Sequence, residues 1–215
     1  MHAFRFGISL ALLGALHAHA AQPGDYRFAT VHAGFNELDD ADASVNFGAG
    51  AAVQGKAGMG RGVHGGLAVG RQSGHLRYEA EYQLGRFDIE RLQLGTVNRT
   101  VDERGSYRAL MLNAYRADQL GENLESFVGL GAGWGKIKLP LLRAGSSCDC
   151  FGPASKDGFA WQARGGLAYR LAGQGAVAVQ VSRLVLPAPQ RGGAPGVSYR
   201  KQAFPVLAVA YIQKF

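Results

Sequence analysis

Eight antiparallel strands closed into a membrane-spanning β-barrel is the architecture this sequence predicts. Three features predict it: an export signal at the N-terminus, connections that alternate between short and long, and strands that alternate apolar and polar residues with aromatics near both ends.

The signal is read from residues 1–20. Met1 to Arg5 carries positive charge, Phe6 to Leu16 is an uncharged, mostly apolar run, and Ala18-His19-Ala20 has the small-x-small pattern of a cleavage site. That run is too short to cross a hydrocarbon core, which takes about twenty helical residues. Cleavage is expected after residue 20, leaving one barrel domain over 21–215. No later apolar run reaches helix-spanning length, the longest being Phe204 to Ile212. This excludes helical membrane proteins and leaves barrels, whose strands need only about 9–11 residues. With 32 glycines, 7 prolines and 47% apolar residues, the composition fits β structure with close backbone approach rather than disorder. The net charge of +7 is scattered rather than gathered in one tract, so nucleic acid is not expected as a partner. Membrane phosphates are the expected anions.

Strands are expected near 25–35, 58–71, 75–87, 105–117, 124–138, 158–171, 175–186 and 202–215. The connections at 72–74, 118–123 and 172–174 are short. Those at 36–57, 88–104, 139–157 and 187–201 are long and polar or rich in Gly and Pro. Tight turns on one side and long loops on the other characterise transmembrane barrels, and an even strand count leaves both termini on the short-turn, periplasmic side. Within the third strand Leu76, Tyr78, Ala80, Tyr82 and Leu84 oppose Arg77, Glu79, Glu81 and Gln83. Phe159, Trp161, Ala163 and Leu167 likewise oppose Gln162, Arg164 and Arg170, and Val177, Val179 and Val181 oppose Gln180, with Arg183 interrupting the valine face. The first and fourth strands read in either phase. Tyr26, Phe28, Tyr78, Tyr115, Phe127, Tyr169, Tyr211 and Phe215 fall near the periplasmic ends. Phe35, Phe87, Tyr107, Trp134, Phe159, Trp161 and Phe204 fall near the external ends, so two aromatic girdles are expected.

The chain closes on a strand ending Tyr211-Ile-Gln-Lys-Phe215. Together with Leu76-Arg-Tyr-Glu-Ala-Glu-Tyr82 and Phe127-Val-Gly-Leu-Gly-Ala-Gly-Trp134, this pattern resembles the small eight-stranded outer-membrane barrels: the OmpA membrane domain, OmpX and the opacity-type surface proteins. The resemblance implies residence in a Gram-negative outer membrane, with Tyr211 and Phe215 as the signal for the barrel assembly machinery. Gln213 departs from it, because an apolar or aromatic residue is usual two before the end.

Eight strands enclose an interior just wide enough for side chains. Arg77, Glu79, Glu81, Gln83, Gln162, Arg164 and Arg170 are expected to fill it as a polar network, with Glu81 and Arg164 placed to meet. The alternative is a narrow ion path. Gly60-Arg-Gly-Val-His-Gly65 matches a dinucleotide fingerprint, but it lacks the strand–turn–helix setting that motif needs. Cys148 and Cys150 suggest a small local disulfide, with free or intermolecular thiols and a metal as alternatives. Lys136, Lys138 and Arg143 sit where the fifth strand leaves the membrane, Arg200 and Lys201 lie around the fourth long loop, and all five are candidates to meet lipopolysaccharide phosphates. No cofactor is expected. Neither is catalysis: no histidine has a serine two residues on, as barrel deacylases do.

Overall fold

The computed structural model describes residues 24–38, 40–48, 52–143 and 148–215; the expected signal at 1–20 and Asp39 lie outside them. Among the described residues eleven antiparallel strands form one sheet: β1 (Tyr26–Glu37), β2 (Ala41–Asn46), β3 (Ala52–Ser73), β4 (Leu76–Leu94), β5 (Val97–Gln119), β6 (Leu124–Leu139), β7 (Ala154–Arg170), β8 (Gly175–Leu186), β9 (Gln190–Arg191), β10 (Gly196–Tyr199) and β11 (Gln202–Lys214). Eight of them close a ring, β1-β3-β4-β5-β6-β7-β8-β11, sealed by β1 against β11. The terminal residue completes the seam, as Phe215 and Arg27 exchange backbone hydrogen bonds of 2.9 and 3.2 Å.

Partners traced from Arg108 through Leu84, Gly65, Ala33, Val209, Val179, Leu167 and Ser126 return to β5 at Asp118. That stagger of ten residues over eight strands requires tilted strands, at roughly 35–45° to the barrel axis.

Period-2 alternation sorts every ring strand into an inward and an outward set. The outward set is apolar through the middle: Phe35, Leu112 and Leu130 are 68%, 70% and 66% exposed. A continuous apolar wall of this kind is stable against lipid and unstable against water. β1 turns its even residues inward and β5 its odd ones, which fixes the two phases left open above.

The strands run further than their alternation suggested. Residues 88–104, expected as a long loop, continue β4 and β5 to a tight turn at Gly95-Thr96, where Gly95 takes a φ of 56°. A bulge between Ile89 and Arg91 shifts the phase, so the pattern looks broken where the ladder goes on. The connections at 36–57 and 187–201 are likewise partly strand. There β2 pairs with β3, β10 with β2 and β9 with β10, and β9 touches β7 at Gln190, extending the wall beyond the apolar band.

The girdles need a larger correction. Tyr78, Tyr169, Tyr211, Phe215, Phe35, Trp134, Phe159 and Trp161 are exposed. Phe28, Phe87, Tyr107, Tyr115, Phe127 and Phe204 are buried, and Tyr26 faces inward with its hydroxyl on Gln72. Aromatic residues near strand ends serve either face, and strand position alone does not say which.

Candidate functional site

The ring's interior divides by height. Midway, Arg164 lies between two carboxylates, with Nη2 donating to Glu81 Oε1 at 2.6 Å and Nη1 to Glu79 Oε1 at 3.3 Å. Asn113 donates to both carboxylates, at 2.8 and 3.0 Å, and Gln162 donates to Glu81 at 2.9 Å and to Asn113 at 2.7 Å. Gln83 joins by donating to Gln162 at 3.3 Å. β4, β5 and β7 thus cross-link through the lumen; Glu81 and Arg164 are buried, and the Glu79 side chain is only 7% exposed. Such charges are tolerated only because each carboxylate has a cation and amide donors. The free space beside Arg164 and Glu81 holds little more than water.

His32, His64 and Tyr107 extend the network away from the termini. His32 Nε2 is 3.3 Å from Glu81, Gln180 is 3.0 Å from His32 Nδ1, and His64 Nδ1 is 2.8 Å from the Tyr107 hydroxyl. Toward the termini Arg77 pairs with Glu125 and donates to Gln72 at 2.8 Å, its guanidinium within 5.3 and 5.5 Å of the Phe28 and Phe127 ring centres. Arg170 faces inward below them, lining a small pocket with Arg77 and Glu125.

The other half of the lumen is apolar. Phe87, Ile89, Ile137, Leu184, Leu186 and Phe204 pack there with no exposure above 1%. The connection after β6 adds Leu142, Cys150 and Phe151, each fully buried. Phe151 reaches across to β3, where a Cβ on Gly55 would lie 2.6 Å from its ring. Tyr199 donates to Phe151 O at 2.5 Å, and Arg191 donates to Gly152, Asp149 and Pro195 carbonyls, clasping this loop over the barrel mouth.

Sequence reasoning selected Arg77, Glu79, Glu81, Gln83, Gln162, Arg164 and Arg170, and all face inward. It missed Asn113 and Tyr115, whose strand had no settled phase, and Glu125, His32 and His64. An inward-pointing polar residue at each position was the available signal.

The Cys148 and Cys150 sulfurs lie against each other, with Cα atoms 5.1 Å apart. Tyr211 is exposed and donates to Gln213 at 2.8 Å, while Phe215 ends the seam. Of the expected phosphate-facing cations, Lys136 and Lys138 lie on the outward face of β6. Arg143 is bound to Asp149 at 2.7 Å, Arg200 to Asp42 at 3.4 Å, and Lys201 is exposed just before β11.

No family model and no curated protein sequence matches the chain. Among solved structures it is similar to the outer membrane protein OprG from Pseudomonas aeruginosa, with a TM-score of 0.61 and 15% identity over 92% of this chain and 98% of that one. Neisserial surface protein A aligns at a TM-score of 0.49 and 11% identity over 90% and 99% of the two chains. The outer membrane protein AlkL aligns at 0.49 and 16% over 91% and 92%. The fold is that of the small eight-stranded outer-membrane β-barrels.

Proposed function

We propose that the chain is a non-enzymatic barrel of the bacterial outer membrane, with periplasmic termini and a closed lumen, that acts in envelope integrity or surface interaction through the four connections at its far end. The observation that carries this reading is that the lumen is stopped twice in series, by the Arg164–Glu81 network and by the apolar packing around Phe151. A solute would have to break a buried ion pair and then displace a packed aromatic. The buried histidines also favour a structural role: His32 and His64 face the lumen, whereas a lipid-cleaving base must reach the outward wall. Tyr211 and Phe215 serve as the assembly signal, Cys148 and Cys150 as a local disulfide in the mouth-closing loop, and outer-leaflet lipid is the constant partner.

Purified protein reconstituted in planar bilayers is expected to show no stable conductance. On cold SDS gels it is expected to run faster unboiled than boiled, and protease added to intact cells should cut only the far-end connections. Steady single-channel steps would replace this reading with that of a narrow channel. A protein soluble without detergent, with no gel shift, would overturn the membrane reading itself.

A further inference from the structure

Five cations at the far end have an acid in reach: Lys56 has Asp40 at 2.9 Å, Arg61 has Glu37, Arg104 has Asp88, Arg143 has Asp149 and Arg200 has Asp42. A contiguous group on β4–β6 does not. Arg86, Arg108, Lys136 and Lys138 lie on the outward face, and among the described residues no ion pair includes any of them. Arg108 stands directly opposite Lys136, and Arg86 and Lys138 each stand opposite Ser106 from its two sides. Like charges directly opposed across a ladder repel. Two acids border the group. Asp157 faces Lys136 in register without closing to an ion pair, and Asp88, beyond Arg86, is taken by Arg104 at 3.3 Å. The repulsion is relieved when an outside anion sits between the cations.

Their height says which anion. On each strand the next outward residue below the group is apolar: Leu84 under Arg86, Leu110 under Arg108 and Trp134 under Lys136. Phe159, 65% exposed, pairs with Trp134. Cations directly above an apolar, aromatic-edged wall fit a molecule with phosphate at the head and acyl chains below. A soluble acidic protein would have no use for the wall beneath.

We infer that Arg86, Arg108 and Lys136, flanked by Lys138, form a binding site on the outer wall for the phosphorylated headgroup of an outer-leaflet lipopolysaccharide. The site rests on the outer-membrane reading. It moves the lipid contact away from Arg143 and Arg200, whose charges are already answered, to two arginines in the strands themselves. Each cation near an anionic lipid surface contributes about 1 kcal/mol, so loss of three weakens binding by about a hundredfold.

The test is lipopolysaccharide binding to the full chain in detergent, read by native mass spectrometry and by protection against heat unfolding. R86Q/R108Q/K136Q is compared with R27Q/R71Q/R116Q, which removes the same charge near the other end. About hundredfold weaker binding in the first variant only, with dephosphorylated lipid A bound weakly by the unaltered chain, supports the site. Equal binding by both variants, or undiminished binding of dephosphorylated lipid, overturns it, and so does equal competition by millimolar inorganic phosphate. The unboiled gel shift of each variant reports folding separately. A chain that shows no shift and needs no detergent refutes the membrane reading, whereas a shifted barrel with unchanged lipid binding refutes only the site.

Discussion

The two halves of the lumen solve one packing problem with opposite chemistry. Around Arg164 the interior is filled by ions and amides, and around Phe151 by apolar side chains and a returning loop. Both halves belong to the same eight-stranded ring, so the available width does not explain the difference. What differs is how each fails. In the polar half one guanidinium answers two carboxylates, and its loss strands both. In the apolar half no packed side chain carries a charge that another must answer, and a lost one leaves a hole rather than a charge.

The largest expected effect follows from that asymmetry. Arg164→Met leaves Glu79 and Glu81 buried without their cation, and breaking a buried pair costs roughly 3–5 kcal/mol. Urea unfolding in micelles, followed by tryptophan fluorescence, should show this as an earlier midpoint. Adding Glu79→Gln and Glu81→Gln should recover most of the loss, since neutral amides need no counter-charge. A triple variant no more stable than Arg164→Met alone would mean that packing, not charge, holds the middle of the barrel.

Phe151→Ala tests the other half and is expected to cost about 3 kcal/mol, at the low end for a buried aromatic because the loop carrying it can settle into the gap. The loss should not respond to neutralising the carboxylates below. Neither this variant nor Arg164→Met should conduct in planar bilayers, because the other stopper remains. Conductance in either one would show that a single layer closes the barrel.

A smaller effect probes how tightly the polar half is built. A Cβ on Gly131 would lie 1.8 Å from Asn113 Oδ1, the acceptor of the Gln162 bond. Gly131→Ala should therefore push Asn113 off both carboxylates and cost about 2 kcal/mol by overpacking. A cycle with Asn113→Ala should show coupling above roughly 0.5 kcal/mol. Additive effects would mean that the amide has room to move.

The contrast between halves was only partly legible in the sequence. Glu81 and Arg164 stood out because a charge every second residue in an otherwise apolar strand has few places to go. Phe204 and Phe87 did not, because a ring near a strand end suits a lipid interface and a packed mouth equally. Asn113 was hidden by a strand, 105–117, whose apolar residues occupy both faces: Met111 inward, Leu110 and Leu112 outward. The second connection was misjudged for a different reason. Beyond the apolar band a strand has water outside, so its charges no longer alternate with leucines, and the bulge beside Glu90 removes what period remained.

The smallest expected effect contrasts the lumen with the rim. Lys56 and Asp40 form a 2.9 Å pair with both side chains nearly half exposed, and the Asp40 hydrogen bond holds the Lys56 ammonium above its ordinary pKa. A raised folded-state pKa stabilises the fold fully below the unfolded lysine value, and the benefit is lost as pH rises through the folded one. Asp40→Asn should therefore cost well under about 1 kcal/mol at neutral pH, because water screens the pair. That cost should vanish in molar salt and at strongly alkaline pH. Arg164→Met should lose as much in molar salt as in dilute buffer, because its carboxylates are sealed from ions. Equal salt sensitivity in the two variants would mean that water and ions reach the middle of the barrel, and that the lumen is open where the packing shows it closed.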